Sequence, residues 1–392
     1  MTTPVTIALV WHQMNSDNLG VGALTLANIA LLREAAADAG LKPHFLILGW
    51  RDPRPDYETA PDIEPVPLRT RHLPAPGGPL GAAYARADLV VDIGGGDSFT
   101  DIYGTKRFLT VWGTKARAQL TGLPVVLAPQ TVGPFNAAWT RMLARRVMNR
   151  SRAVVTRDAP STAFLAEMGV KSDILEVTDV AMGLPYDPPK PRQGGPIRVG
   201  LNVSGLLMNG GYTGENQFGL SIDYPALIRD LVAELVARED VELHLIGHVQ
   251  SEEQPWEDDQ RAGEALAAEF PGAIVAPVFN SPIEAKSYIA GMDFVAAARM
   301  HAAIAAFSSG VPVVPMAYSR KFTGVFGTLG YNHVADMKAD SAEDILGRIR
   351  QGISERAALA ADVGRGMGLV EDRLAAYRAL AAREMRTACG TD

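Results

Sequence analysis

The chain has 392 residues, 47% of them apolar and 21% charged, with a net charge of −7. That is the composition of a globular protein too long for one comfortable core, so two domains are expected. The acidic balance argues against nucleic acid as a partner, since that would call for a dominant basic face.

A single cysteine, Cys389, leaves no intrachain disulfide or cysteine-based metal site and suits a reducing cytoplasm. No basic segment with an apolar core opens the sequence, and no run nears the roughly 18 uninterrupted apolar residues of a membrane helix. Peripheral contact with a membrane stays compatible with this composition.

Short apolar runs alternate with helical patterns, the signature of parallel sheets covered by helices. In the first half, residues 6–10, 45–48, 89–93, 125–128 and 153–156 read as strands. A helix is predicted over 23–39, with Leu24, Ile29, Leu31 and Leu32 among its apolar positions and Gly40 as its stop. Asp158 is placed to cap a helix over 160–168 that ends at Gly169. Residues 185–196 are dense in Pro and Gly and read as a linker. The alternation then restarts, with strands at 198–203, 242–246, 274–276, 294–298 and 311–316. Helices are predicted at 225–238, 258–270, 282–290 and 302–309, and an Ala/Leu/Arg-rich helical stretch at 341–385. The predicted fold is α/β: two Rossmann-like domains facing a cleft, over 1–184 and 197–340, followed by a helical tail over 341–392.

The stretch Ala298-Arg299-Met300-His301-Ala302 is the most informative. It lies where the carboxyl end of a strand feeds a helix N-terminus, the edge at which open α/β sheets bind ligands and where backbone N–H groups favour an anion. A cation and an imidazole two residues apart fit an anionic substrate with a proton to move, or else a surface arginine beside a structural histidine. Other strand-end loops keep company with it. Asp92-Ile93-Gly94-Gly95-Gly96-Asp97-Ser98 is either a ligand loop with Asp97 as its carboxylate or a tight turn, and it matches neither nucleotide fingerprint. Asn18-Leu19-Gly20-Val21-Gly22 opens a helix and lacks the third glycine of the dinucleotide pattern. Gln130-Thr131-Val132-Gly133-Pro134 follows another strand, and so does Arg157, which Asp158 could pair with or leave alone while capping the helix. In the second half Asn202, Ser204, Gly247-His248 with Asp258 and Asp259, and Tyr318-Ser319-Arg320-Lys321 follow strands in the same way. No HExxH, Cys/His cluster or G-x-S-x-G elbow is present, so neither a metal nor a serine nucleophile is expected.

In order, the matching pieces are Asn18-Leu19-Gly20, Gly94-Gly95-Gly96-Asp97, Ala128-Pro129-Gln130-Thr131-Val132-Gly133-Pro134 and Arg157-Asp158. They continue with His248, Asp259, Arg299-Met300-His301, Gly310-Val311-Pro312, Tyr318 and Lys321. With them the chain resembles the polysaccharide pyruvyl transferase family over residues 5–335. Val21 departs from it, standing where that family commonly has an acidic residue. The resemblance implies a glycosyltransferase-B-like fold and transfer of the enolpyruvyl unit of phosphoenolpyruvate to a saccharide as a cyclic ketal, with release of phosphate. It implies phosphoenolpyruvate as co-substrate and no further cofactor. Arg157, Arg299 and Lys321 would meet the donor's two anionic groups, His248 would assist at the phosphate, and His301 would protonate the methylene carbon. Asp97 would orient or deprotonate the acceptor. The first domain becomes the acceptor side, with Asn18, Gly95, Gly96 and Gln130 as candidate contacts, and the second the donor side. The acceptor would be an exopolysaccharide or cell-wall saccharide, soluble or lipid-linked, handled in the cytoplasm or at the inner face of the membrane. Two rivals stay open: a nucleotide-sugar glycosyltransferase of the same fold, and a non-catalytic anion-binding relative.

Overall fold

The computed structural model describes residues 2–391 except 71, 72, 74 and 76. The chain forms two units: Met1–Ser16, Leu24–Gly183 and Val370–Asp392 make one, and Asp17–Ala23 with Leu184–Leu369 the other.

The first unit is built on a parallel sheet of β1 (Thr3–Val10), β2 (Leu41–Gly49), β3 (Ile63–Pro67), β4 (Leu89–Asp92), β5 (Val125–Gln130), β6 (Ala153–Thr156) and β7 (Asp173–Glu176). The strand order is β3-β2-β1-β4-β5-β6-β7, so the winding reverses between β1 and β4. Every residue of β4, β5 and β6 is buried, as expected of strands with helices on both faces. The helices are α1 (Leu19–Asp38, from Leu24 on in this unit), α2 (Pro79–Tyr84), α3 (Thr105–Leu120), α4 (Ala138–Met148) and α5 (Ala159–Met168). Val10, Leu48, Val90, Leu127 and Val154 share one core cluster. The edge strand β3 carries Pro65 and Pro67 and is partly exposed, which is why its sequence reads poorly as a strand.

A buried polar relay crosses this unit. Asn28 Nδ2 donates to His12 Nε2 at 2.9 Å, His12 Nδ1 lies 3.1 Å from the Val10 carbonyl, and the Tyr377 hydroxyl donates to Asn28 Oδ1 at 2.9 Å. Burial, only partly opposed by the Val10 carbonyl, pushes His12 down to about 3, so the ring is neutral.

The second unit repeats the plan with β8 (Ile197–Asn202), β9 (Val241–Leu245), β10 (Ile274–Val275), β11 (Phe294–Ala297), β12 (Val313–Ala317) and β13 (Ala335–Asp336). Their order is β10-β9-β8-β11-β12-β13, reversing between β8 and β11. Its helices are α6 (Gly205–Met208), α7 (Tyr224–Val236), α8 (Asp259–Glu269), α9 (Pro282–Ile289), α10 (Met300–Ser308), α11 (Arg320–Thr328) and α12 (Ala342–Ser354). The long α13 (Arg356–Cys389) follows; its residues up to Leu369 belong here and those from Val370 to the first unit.

The structure differs from the sequence expectation at three places. Residues 341–392 are helical as expected, but they divide between the two units. The stretch 185–196 packs on the second unit: Lys286 Nζ donates to the Leu184 carbonyl at 2.8 Å, the Asp187 N–H donates to Ser287 Oγ at 2.9 Å, and Arg192 pairs with Asp293. Burial brings that lysine down to about 7. Helix α1 starts a turn earlier than predicted, so Gly20 and Gly22 are helical. It is also the one helix among the described residues long and apolar enough to cross a membrane, and 78% of that window is buried within the protein, as in a core helix.

Candidate functional site

In the second unit the strand order reverses at β8 and β11, and the residues after those strands gather there. Asn202, ending β8, accepts the Arg299 N–H at 2.7 Å and donates to the Ile246 carbonyl at 2.8 Å, holding three strand ends in place. Arg299 is the N-cap residue of α10, and its guanidinium is already engaged. Nη2 lies 2.8 Å and Nε 3.1 Å from Asp259 Oδ1, Nη2 donates to the Glu257 carbonyl at 2.9 Å, and Nη1 lies 3.6 Å from the Glu257 carboxylate. Asp259 is fully buried and also accepts the backbone N–H groups of Gly205 (2.9 Å), His248 (3.2 Å) and Val249 (3.1 Å). Burial opposes the arginine's charge most strongly, but Asp259, Tyr318 and Glu257 together outweigh it and hold the group above its ordinary value. The expectation of an open arginine fork for the donor needs correcting here: two carboxylates already balance this charge.

His301 is half-buried in the first turn of α10. A Cβ at Gly20 would overlap its Nδ1 and Cγ, so the helix start of α1 approaches the imidazole as closely as only glycine allows. Asn18 makes that turn, accepting the Gly20 N–H at 2.9 Å, and the Leu19 N–H donates to the His248 carbonyl at 3.1 Å. Asn18 thus builds the loop. His248 is 2% exposed. Burial first, then the charges of His301 and Arg299, lower it to about 3, so whatever it offers an anion comes from a neutral ring. Lys321 is half-buried in the first turn of α11, after β12. Side chains cap α6, α7, α8, α9 and α12, through Ser204, Asp223, Asp258, Ser281 and Ser341. The N-cap residues of α10 and α11, Arg299 and Ser319, make no side-chain cap bond. These two termini sit at His301 and Lys321, where a helix start favours an anion.

In the first unit the reversal falls at β1 and β4. Trp11, directly after β1, has φ +62°, a left-handed backbone uncommon for a bulky residue. Its Nε1 donates to Thr114 Oγ1 at 3.0 Å and its ring lies 5.2 Å from that of Trp50. Gly94, Gly95 and Gly96, after β4, all have positive φ, and a Cβ on Gly94 would overlap the Gln130 amide. Trp11, Trp50, Gln13, Gly95, Ser98 and Arg107 line a shallow recess open to solvent. Arg107 Nη2 donates to Ser98 Oγ at 2.7 Å. Asp97 is half-buried and accepts the Tyr103 hydroxyl at 2.8 Å. Beneath lies the Lys115–Asp92 pair, 2.8 Å apart and fully buried, in which burial pushes both groups toward their neutral forms.

Two expected contacts in this unit are corrected. Gln130 is fully buried, its amide donating to the carbonyls of Asp92 (2.8 Å) and Ala128 (3.1 Å), so it braces the glycine loop. Arg157 is 1% exposed; Nη1 meets Asp179 at 2.6 Å and Nε donates to Thr131 Oγ1 at 2.9 Å. Its charge is matched inside the unit, and Asp158 is the helix cap, accepting the Ser161 N–H at 2.7 Å. The sequence reading missed Trp11, Trp50 and Arg107, and it gave Asp259, Glu257 and Asp179 no role. The reversal of strand order was the signal for Trp11, but it emerges only once the strands are paired. Among the described residues no group of three His, Cys, Asp or Glu is arranged to hold a metal ion.

A family model described as polysaccharide pyruvyl transferase matches residues 19–320. The chain belongs to this family. Within the pyruvyl transferase match lie His248, Arg299 and His301, while Asn18 and Lys321 flank it. No sequence among the curated proteins matches the chain. Solved structures resemble it along its whole length. The sucrose-phosphate synthase of Thermosynechococcus elongatus has a TM-score of 0.59 at 14% identity, covering 100% of both chains. Anabaena HepE in complex with UDP-glucose reaches 0.55 at 12%, covering 97% of this chain and 99% of its own. An α,α-trehalose-phosphate synthase from Burkholderia vietnamiensis reaches 0.53 at 9%, covering 99% of each. At such identities the likeness concerns the fold, which is that of the GT-B glycosyltransferases.

Proposed function

We propose that this pyruvyl transferase family member takes phosphoenolpyruvate as donor and builds a pyruvate ketal on a saccharide, releasing inorganic phosphate. The observation that carries the reading is the second unit's pair of helix N-termini whose N-cap residues make no capping bond, with His301 in one first turn and Lys321 in the other. The donor's phosphate and carboxylate suit those two termini. His301 gives a proton to the methylene carbon, which becomes a methyl group, while a sugar hydroxyl bonds to the adjacent carbon. That hydroxyl's proton returns to His301. Phosphate then leaves with the electrons of its C–O bond, a second hydroxyl closes the ketal, and phosphate takes the second hydroxyl's proton. Helix dipoles and Lys321 stabilise the charge growing on the leaving group. Arg299 is a positioning residue, fixing the start of α10 through Asp259.

The acceptor is assigned to the recess of the first unit. The rings of Trp11 and Trp50 suit the apolar face of a sugar, and Ser98, Gln13 and Arg107 supply hydrogen-bonding groups at its rim. Asp97 is the carboxylate proposed to orient a hydroxyl. The test is incubation with phosphoenolpyruvate and a panel of glycosides, measuring inorganic phosphate and the mass gain of a pyruvate ketal. UDP release from UDP-glucose under the same conditions, with no phosphate from phosphoenolpyruvate, would overturn the reading.

A further inference from the structure

The first unit carries a basic surface of which the proposed reaction uses only the Arg107 and Tyr103 end. Residues 101–152 hold nine Lys and Arg against one acid, Asp101, in a chain of net charge −7. That acid is engaged at the start of α4, where its carboxylate accepts the N–H groups of Asn136 (2.8 Å) and Ala137 (3.0 Å) and the Thr140 hydroxyl (2.7 Å). Lys115 is buried against Asp92, and Arg141 pairs with Glu167 at 3.0 Å. Lys106, Arg145, Arg146, Arg150 and Arg152 are exposed and have no ion-pair partner among the described residues.

The same stretch exposes apolar side chains: Ile102, Tyr103, Leu109, Trp139 and Met142 are 41–57% accessible. Trp139 and Met142 stand on α4 and Leu109 on α3, two helices that pack together, while Ile102 and Tyr103 lie just before α3. The rings of Phe108 and Trp139 meet at 5.6 Å, and Trp112 Nε1 donates to the Leu143 carbonyl at 3.1 Å. Along α4, Trp139, Met142 and the Arg145-Arg146 pair follow at helical spacing. Aromatic and thioether side chains set among unpaired cations are the chemistry of a lipid headgroup layer, where apolar groups enter and arginines meet phosphates. We propose that the α3–α4 face docks on an anionic lipid leaflet. The proposal does not depend on the identity of the donor.

Flotation of the full chain with vesicles of phosphatidylcholine, alone or mixed with phosphatidylglycerol, tests it. Binding is expected only to the mixed vesicles and is lost at high salt. Replacing two surface cations, Arg145→Gln with Arg146→Gln, should weaken partitioning roughly thirtyfold. Trp139→Ser with Met142→Ser should weaken it further, with the circular dichroism spectrum of the unaltered protein. No flotation, equal binding to phosphatidylcholine alone, or full binding by the Arg145/Arg146 variant would overturn the proposal. So would capture by soluble polyglutamate as tight as by vesicles, with the Trp139/Met142 change silent, since that would point to an acidic protein.

Discussion

Arg299→Met removes the guanidinium from Asp259 while keeping an unbranched side chain at the N-cap of α10. The carboxylate stays behind, fully buried, without its bonds from Nε and Nη2. Removing one partner of a buried ion pair costs about 3–5 kcal/mol. Asp259 keeps three backbone donors, from Gly205, His248 and Val249, so the lower end, about 3 kcal/mol, applies. For a unit of about 200 residues each kcal/mol moves the melting temperature by roughly 2–4 °C, so this unit's transition should fall by about 6–12 °C. Differential scanning calorimetry, resolved into two transitions because the protein has two units, reads the effect. Arg299→Met combined with Asp259→Leu should lose less than the two single changes added together, since neither charge is then stranded. A melting temperature within about 1 °C of the unaltered protein would refute the positioning role and restore Arg299 as a donor-facing cation.

His301→Ala should lower ketal formation about a hundred- to ten-thousandfold while leaving the fold intact, as followed by phosphate release and circular dichroism. Gly20→Ala improves helix propensity yet pushes the imidazole aside; turnover should fall about a hundredfold, and the same change placed on His301→Ala should cost nothing more. His12 and His248, both held down to about 3 by burial, take up no proton between pH 6.5 and 3, whereas the unfolded chain does. Stability is therefore full above pH 6.5 and lost as the pH falls, by about 2 kcal/mol per histidine between pH 7 and 5. Urea unfolding at the two pH values measures it, and His12→Gln should flatten the dependence in the first unit.

The sequence makes the two parallel sheets legible because their central strands are continuous apolar runs, as with Val125–Gln130 and Phe294–Ala297. Edge strands such as Ile63–Pro67 and Asp173–Glu176 are short or half-exposed, so hydrophobicity gives them no signature. The junction at Arg299 and His301 is readable as a strand feeding a helix, because that is a local feature. Whether a cation there is free or neutralised is not local. Asp259 lies forty residues before Arg299, and Asp179 lies twenty-two after Arg157; only the parallel crossovers bring each pair together. The glycines of Gly94-Gly95-Gly96 announce an unusual backbone, but the left-handed Trp11 has no such marker in its residue type.

Once those partners are placed, the charge available to an anionic donor changes. Arg299 is faced by Asp259 and Glu257, and burial keeps His248 neutral. The buried part of this half-site is therefore net negative, not positive. Phosphoenolpyruvate, the proposed donor, would add a carboxylate and a phosphate, so on that proposal its binding draws on helix N-termini, on Lys321 and on the imidazole in the α10 first turn. An anion beside His301 favours the imidazolium, and the same proton is the one the methylene carbon needs. Donor binding should then take up a proton before any acceptor is present. Isothermal titration in two buffers of different ionisation enthalpy measures that uptake directly. Net proton uptake is expected with the unaltered protein and should vanish in His301→Asn; equal heats in both buffers with the unaltered protein would separate the proton donor from the donor-binding site.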